Sequence, residues 1–165
     1  AALQEHRIDL GLVEGISRLP NLKYTTFLQD ELVAVVHTGN KLSLPDEITP
    51  EDLSRIPLVL RERGSGTLDV FERALSGHNI KLSSLNVLLY LGSTESIKLF
   101  LEHTDCMGIV SIRSISRELL SGTFRVIEIK GMPMLREFCF AQPQGQESGL
   151  SQVLMQFAMH HNKKL

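Results

Sequence analysis

Short apolar runs alternate with amphipathic segments along most of this sequence. A continuous apolar run at residues 8–13 predicts a strand covered on both faces, and shorter runs at 58–60 and 107–111 predict further strands. Segments with apolar residues three and four positions apart follow several of these runs, and that spacing predicts helices. Because strands that alternate with helices are typical of an α/β sheet, the sequence predicts an α/β fold with mostly parallel strand pairing.

The remaining elements follow from the same two periods and from turn residues. Further strands are predicted at residues 24–29, 32–37, 86–91, 124–129 and 135–141. Helices are predicted at residues 67–75, 95–103, 113–120 and 148–161, together with a short helix that begins after the cap Thr49. The last long helix places four apolar residues on one face: Leu150, Val153, Leu154 and Phe157.

The most informative stretch is residues 58–71, in which a buried strand is followed by a glycine-serine turn and a helix start. Gly64 and Gly66 allow a positive φ and a close approach of the backbone to a ligand. Ser65 and Thr67 are both good N-cap residues, and the helix start behind them presents free N–H groups. Such a turn can bind a small anion or the carboxylate of a metabolite, or it can be a well-capped helix start and nothing more.

A second copy of the same pattern occurs at residues 88–97, where a strand is followed by Ser93, Thr94 and another helix start. Two hydroxyl-rich helix starts at the ends of neighbouring strands would face one crevice. Open α/β sheets bind their ligands in such a crevice. The repeated pattern therefore favours a ligand site over a simple pair of helix caps.

Three known motifs are excluded at the first of these turns. A phosphate loop needs a lysine after its second glycine, and Thr67 stands there. The dinucleotide fingerprint fails because Asp69 takes the place of its third glycine. A nucleophile elbow would need glycine where Arg63 stands. Ser65 therefore fits a hydrogen-bond donor better than a nucleophile.

Composition limits the class of protein. The 165 residues suffice for one domain or two small lobes, and the 42% hydrophobic and 22% charged content is ordinary for a globular chain. A net charge of −2 and a pI near 6.3 disfavour a domain that binds DNA by itself, since such a domain would be basic. No apolar run reaches the length of a membrane span, and the first residues lack the features of a signal peptide.

Cysteine, histidine and charged residues give weaker indications. Cys106 and Cys139 lie in apolar contexts that favour buried free thiols, which fit a reducing cytoplasm. The six histidines have no His or Cys partner at zinc spacing, so we expect neither a metal site nor a cofactor. The charge run at residues 61–63 could line a cleft, although such a run is usually a solvated edge.

The order of motifs resembles the effector-binding domain of LysR-type transcriptional regulators. The matching stretches are residues 8–15, 30–36, 53–59, 61–67 and 108–111. The resemblance implies a two-lobed type II periplasmic-binding-protein-like fold, with a first lobe at 1–38 and 131–165 and a second lobe at 39–130. The family's winged helix-turn-helix, and the first strand, helix and strand of its first lobe, have no counterpart in these residues. We therefore expect a first lobe that lacks its first elements.

The resemblance also implies which residues line the effector cleft. Gly64, Ser65, Gly66 and Thr67 fall on a second-lobe loop that contacts the effector. The other matching positions are Glu14 and Gly15 at the end of a first-lobe strand, and Ser93 and Thr94 beside a third loop. Two features depart from the family pattern, because many members carry an arginine at Leu68 and a glycine-rich turn at residues 103–106. Glu14 would repel an anion unless it hydrogen-bonds a different part of the ligand.

The function implied is the sensing of a small-molecule effector, a small anion or a carboxylate-bearing metabolite, with control of an upstream winged helix-turn-helix. We expect DNA contact only through that domain, a homo-oligomer in the full-length protein, no membrane association and a cytoplasmic location. The alternative is a solute-binding receptor or an enzyme on the same fold. The sequence shows no paired carboxylates and no nucleophile-base pair, which counts against the enzyme. A helix-turn-helix encoded directly upstream would decide for the regulator.

Overall fold

The computed structural model describes residues 2–5, 7–14, 18–145 and 149–162. The chain divides into two compact units, of which unit 1 comprises Ala1–Asp30 and Arg136–Leu165 and unit 2 comprises Glu31–Leu135. The lobes expected from the resemblance, 1–38 with 131–165 and 39–130, have the same order along the chain. Their bounds remain a prediction.

The described residues form eight strands and four α-helices. In chain order these are β1 Gly11–Glu14, β2 Leu22–His37, β3 Glu47–Ile48, β4 Leu58–Arg61, α1 Gly66–Ser76, β5 Val87–Leu91, α2 Thr94–His103, β6 Met107–Ser111, α3 Ser116–Leu120, β7 Phe124–Ile129, β8 Met134–Pro143 and α4 Gly149–Asn162. Short 3₁₀ segments lie at Pro50–Arg55, Leu82–Ser84 and Ile112–Ile115.

Most predicted elements lie within two residues of the observed ones, and three predictions differ. The strand predicted at 8–13 begins three residues later, as β1 at Gly11. The strands predicted at 24–29 and 32–37 are one continuous strand, β2. The helix predicted at 113–120 begins as the 3₁₀ segment Ile112–Ile115 and continues as α3. The predicted start of the last helix at Ser148 lies outside the described residues.

The strands of unit 2 are paired in a mixed pattern. β4 lies between β5 and β6 and is parallel to both, and β3 is parallel to β7. β2 is antiparallel to β6 on one side and to β7 on the other. Three of these five pairings are parallel, whereas β1 and β8 pair antiparallel in unit 1, so the described sheet is mixed and the prediction of mostly parallel pairing is only partly confirmed. β2 enters unit 2 directly from unit 1, without a βαβ crossover of the kind that makes neighbouring strands parallel.

The core of unit 2 lies on both faces of this sheet. Leu58 and Leu60 of β4 pack in one cluster with Phe71 of α1, whereas Val59 packs in the other cluster with Ile97 of α2. Successive residues of a strand point to opposite faces, so β4 serves both clusters. Burial of each large apolar side chain stabilises the unit by about 1.5–3 kcal/mol. Helices α1 and α2 therefore cover opposite faces of the sheet. Their packing fixes the positions of the ends of β4 and β5, which precede them.

The position of α2 depends on a glycine in the neighbouring strand. A Cβ atom at Gly108 of β6 would lie 3.0 Å from Ile97 and 3.2 Å from Leu101, which are both buried residues of α2. This separation is too short for an ordinary contact. Glycine at this position therefore permits α2 to pack directly on the sheet.

Unit 1 contains β1, α4, the first part of β2 and most of β8. β1 pairs antiparallel with β8, from Gly11 opposite Ala141 to Glu14 opposite Phe138. Leu12 is exposed, so the predicted coverage of residues 8–13 on both faces is wrong for this strand as described. The apolar face predicted for the last helix exists in α4, but its four large residues are exposed while Ser151 and Met155 are buried.

Candidate functional site

The candidate site lies at the carboxyl ends of the parallel strands in unit 2. β4 and β5 are paired to their last residues, Arg61 opposite Leu91, and the Glu62 N–H donates to the Leu91 carbonyl oxygen at 3.0 Å. Helices α1 and α2 begin a few residues beyond these two strand ends. The two hydroxyl-rich turns thus follow neighbouring strands. A ligand between them remains a prediction.

The first turn is built around Ser65, which is the N-cap of α1. Its backbone is extended, its Oγ accepts a hydrogen bond from the Leu68 N–H at 3.1 Å, and the residue is buried. Gly64 before it has a φ of +88°, a left-handed conformation that explains the glycine. Gly66 and Thr67 are the first two helical residues and are partly exposed. Because the Ser65 oxygen accepts the capping bond, its hydroxyl hydrogen can still be donated.

The second turn repeats this arrangement around Ser93. Its Oγ accepts from the Ser96 N–H at 3.1 Å and lies 2.8 Å from the Ser96 Oγ. Thr94 is the first residue of α2 and is partly exposed. Each of the two turns therefore supplies a serine cap and the positive end of a helix dipole.

A third hydroxyl cap, which the sequence analysis missed, follows the third parallel strand. Ser111 ends β6, and its Oγ accepts from the Arg113 N–H at 3.2 Å at the start of the 3₁₀ segment. β6 lies beside β4, on the side opposite to β5. The available signal was a strand followed by a serine, but a single hydroxyl was too weak to identify the turn.

An ion pair lies at the end of β4. Arg61 Nε and Nη2 donate to the two carboxylate oxygens of Glu62, both at 3.1 Å. These hydrogen bonds hold the pKa of the Glu62 carboxyl below its usual value. The Glu62 carboxylate also lies 3.9 Å from the position that a Cβ would take at Gly92, in the second turn. Within the charge run at residues 61–63, Arg61 and Glu62 therefore form an ordered pair beside both turns, whereas Arg63 is exposed. Whether the run lines a ligand cleft remains a prediction.

A pocket of about 320 Å³ opens in unit 2 around the second half of β2 and the end of β7. Its apolar lining includes Leu32, Ala34, Ile127, Ile129 and Met134. Leu32 is opposite Ser111 in the β2–β6 pairing, so one side of the pocket lies at the end of the third parallel strand. Its volume is at the lower limit of those that hold small ligands.

The first-lobe positions lie in the other unit. Glu14 ends β1, and its Oε1 atom is buried without a hydrogen-bond partner among the described residues. Gly15 lies outside the part of the chain that the structure describes. Glu14 thus belongs to unit 1, and the two serine caps belong to unit 2.

The two cysteines are buried and free, as predicted. Burial is the main cause that raises the pKa of the Cys106 thiol to about 11, with a contribution from the neighbouring Asp105. Burial likewise raises the pKa of the Cys139 thiol. Because the thiolate is the reactive form, both side chains are poor nucleophiles near neutral pH.

Two negative findings apply to the described residues. Within 2–5, 7–14, 18–145 and 149–162, no group of three His, Cys, Asp or Glu side chains is arranged to hold a metal ion. Over the same residues, every helix is too short or too polar to cross a bilayer.

Comparison with known proteins identifies similar chains. Residues 1–163 match the family model of the LysR substrate binding domain. The chain is 30% identical over 128 residues to YeiE, an uncharacterized HTH-type transcriptional regulator of Escherichia coli strain K12, and the match covers 78% of this chain and 42% of YeiE. The chain therefore spans less than half the length of this relative.

Two solved structures share the fold. The regulatory domain of CcmR from Synechocystis PCC6803, in complex with 2-PG, has a TM-score of 0.79 and 24% identity, over 99% of this chain and 78% of that chain. The effector binding domain of QuiR, in complex with shikimate, has a TM-score of 0.75 and 20% identity, over 99% of this chain and 76% of that chain. The predicted α/β fold class, a two-lobed type II periplasmic-binding-protein-like fold, is confirmed.

Proposed function

The chain belongs to the family of LysR substrate binding domains, and from this premise we propose that it is the effector-sensing domain of a transcriptional regulator. Its ligand is a small anion or a carboxylate-bearing metabolite. Ligand binding controls a winged helix-turn-helix domain that precedes it in the intact protein.

One observation carries the choice of ligand. Two helices of unit 2 begin a few residues after neighbouring strand ends, each with a serine cap, so that two positive dipole ends follow the same edge of the sheet. This arrangement favours negative charge. The residues that we assign to the effector there are Gly64, Ser65, Gly66, Thr67, Ser93 and Thr94.

Known ligands of the similar structures support the same class. The QuiR domain was solved with shikimate, which is a carboxylate, and the CcmR domain with 2-PG. The apolar pocket beside β2 and β7 can take a nonpolar part of such a metabolite. We assign to Glu14 and Gly15 a contact with the ligand's uncharged part, because a second carboxylate would repel an anion. The unpartnered Oε1 atom of Glu14 can accept a hydrogen bond from a ligand hydroxyl.

A signal requires that the ligand bind two states of the domain with different affinity. A ligand that bound both states equally would transmit nothing, however tightly it bound. The free energy available for control is therefore the difference between the two binding free energies.

We propose that the domain catalyses no reaction and works without a cofactor. Ser65 is oriented as a helix cap, and the two cysteines are kept as neutral thiols by burial. DNA contact belongs to the helix-turn-helix domain, because this chain carries a net charge of −2. The intact protein is a cytoplasmic homo-oligomer in this proposal.

Calorimetry tests the proposal directly. The protein is titrated with inorganic phosphate, 2-PG and shikimate, and then with neutral glycerol as the control. We expect heat from at least one anion and none from glycerol. Failure of all three anions to bind would overturn the proposed ligand class. The gene order tests the regulatory role, since a helix-turn-helix encoded directly upstream is expected.

A further inference from the structure

Arg61 and Glu62 form an ion pair between adjacent residues at the end of β4. Adjacent residues within a strand point to opposite faces of the sheet, so their side chains cannot normally meet. The pair forms here because β4 ends at Arg61, and Glu62 is the first residue beyond it. Both side chains therefore fold over the end of the sheet, where the strand no longer separates them.

The pair lies between the two serine-capped turns. The Glu62 carbonyl oxygen accepts from the Ser65 N–H at 3.2 Å, which closes the first turn. The Glu62 carboxylate extends to Gly92, the residue before the second cap, with 3.9 Å between Oε2 and the position of a Cβ there. A methyl group at position 92 would contact the carboxylate, whereas glycine leaves the space above the second turn open.

The two partners differ in exposure. The Arg61 side chain is 22% exposed and the Glu62 side chain is 44% exposed. The guanidinium is thus the more firmly enclosed group, and the carboxylate is the one that can turn into solvent. Exposed ion pairs of this kind contribute little stability, so the cost of separating them is small.

The guanidinium has the geometry to receive a ligand anion. Its two N–H donors already hold both oxygens of one carboxylate, and ligand carboxylates and phosphates bind to the same fork. We infer that Arg61 is the residue that selects an anionic effector, and that Glu62 occupies its fork until a ligand carboxylate or phosphate displaces it. This inference rests on the proposed function, because it assigns the cation of the same site.

The position also explains how the site can do without a cation at position 68. Leu68 is buried in the core beneath α1, so no charged group is available from that position. Arg63, the other cation of the turn, is exposed and lies beyond the end of β4. The backbone of Arg61 is fixed because it belongs to β4, and its guanidinium is fixed by the hydrogen bonds to Glu62.

A double-mutant cycle measured by calorimetry tests the displacement. Inorganic phosphate and shikimate are titrated into wild type, Arg61→Lys, Glu62→Gln and the double variant. Removal of the competing carboxylate in Glu62→Gln should raise affinity about two- to fivefold. Arg61→Lys keeps the charge but loses the fork, and should lower affinity about tenfold. In the Arg61→Lys background the gain from Glu62→Gln should disappear, because the carboxylate then has no fork to occupy.

Matched controls separate this effect from general charge. Arg63→Gln removes an exposed cation of the same turn, and Glu72→Gln removes an exposed carboxylate further along α1. Both substitutions should change the affinity for the anion less than about twofold. They alter only long-range electrostatic interactions with the anion, which dissolved salt screens. Melting temperatures of all variants show that the folded state is retained, and Glu62→Gln alone still tests displacement if Arg61→Lys does not fold.

The outcomes distinguish a failure of the proposed function from a failure of the present inference about Arg61 and Glu62. If wild type binds neither anion, the proposed function fails and this inference fails with it. If wild type binds and Ser65→Ala weakens binding while Glu62→Gln and Arg61→Lys bind like wild type, only the present inference is overturned. The inference is also overturned if Arg63→Gln or Glu72→Gln reproduces the effects at Arg61 and Glu62.

Discussion

Asp30 and Arg136 form a largely buried ion pair at the two points where unit 1 passes into unit 2. Arg136 Nε and Nη2 donate to Asp30 Oδ2 at 3.0 and 2.9 Å, and the Arg136 and Asp30 side chains are 14% and 3% exposed. The guanidinium also lies 5.0 Å from the centre of the Phe138 ring. The pair joins residues that are 106 positions apart in the sequence.

Removal of one partner of this pair should destabilise unit 1 strongly. In Arg136→Ala the Asp30 carboxylate stays buried without its cation, and we expect a loss of about 3–5 kcal/mol in the free energy of unfolding. The double variant Asp30→Asn with Arg136→Met should lose less, because no uncompensated charge remains. Denaturant titrations of both variants measure the difference. Equal losses in the single and double variants would contradict the role of the buried charge.

Substitutions at Ser65 should separate capping from ligand binding. Ser65→Ala removes the cap of α1 and should cost about 1 kcal/mol of stability, whereas Ser65→Gly should cost only a few tenths. Both variants lose the hydroxyl and should therefore lower anion affinity by a similar factor, about tenfold. Calorimetry and thermal melting of the two variants give the two quantities. Anion affinity that stays at the wild-type value in both would show that Ser65 is only a helix cap.

Local signals explain what the sequence predicted well. The first helix was placed within a residue of its observed bounds, because a serine turn before it and Gly77 after it are short-range signals. The sequence could not decide between Ser65 and Thr67 as the cap, since both have suitable side chains. The structure identifies Ser65 as the N-cap of α1.

Non-local contacts explain what the sequence missed. The break predicted within β2 falls on Asp30 and Glu31, two charged residues between apolar runs. Asp30 continues the strand because Arg136, remote in sequence, neutralises it. The sequence left open whether Arg61 and Glu62 line a cleft or form a solvated edge, because only the strand end, seen in three dimensions, brings the adjacent side chains together.

The buried thiol at Cys106 should make stability depend on pH in the alkaline range. Its folded pKa of about 11 lies above the ordinary value of 9.0. Between these two values the unfolded thiol releases its proton while the folded thiol keeps it, so the free energy of unfolding falls as pH rises. In Cys106→Ala the free energy of unfolding should lack the part of this decrease that the Cys106 thiol causes. Denaturant titrations of both proteins from pH 8 to about pH 11 test it, and parallel curves would contradict the prediction.

Cys106→Ser should lower stability and leave anion affinity nearly unchanged. The residue directly precedes β6 and is fully buried in the cluster beneath α2, so a hydroxyl there would be poorly satisfied. We expect a loss of about 1–3 kcal/mol in the free energy of unfolding. Calorimetry with inorganic phosphate should give the wild-type affinity. A tenfold weaker affinity would show that this core region is coupled to the ligand site.

This chain alone should show no salt-dependent binding to duplex DNA. Its net charge is −2, and phosphate contacts by Lys and Arg supply the affinity of DNA-binding domains. A mobility-shift assay with promoter DNA at low and high salt is the measurement. A clear shift that weakens with salt would contradict the assignment of DNA binding to a separate domain.

Assembly of the chain should involve the edge strand β5. In the described part of the chain β5 has a neighbouring strand, β4, on one side, and its Leu88, Leu89 and Tyr90 are exposed. An exposed apolar edge strand pairs readily with another strand, and two copies of one edge can pair antiparallel about a two-fold axis. Of the other described edge strands, β1 is shorter and exposes only Leu12 among its large apolar residues, and β3 has only two residues. β5 is therefore the more favourable edge.

Two matched substitutions decide between these edges. A charge on an edge strand opposes pairing with another strand, so Leu89→Lys should convert a self-associating protein to the monomer. Leu12→Lys places the same charge on β1 and should leave association unchanged. Light scattering over a range of protein concentrations measures the mass of each variant, with the anion affinity as a check that the site remains intact. Dissociation by Leu12→Lys and not by Leu89→Lys would favour the β1 edge and exclude β5.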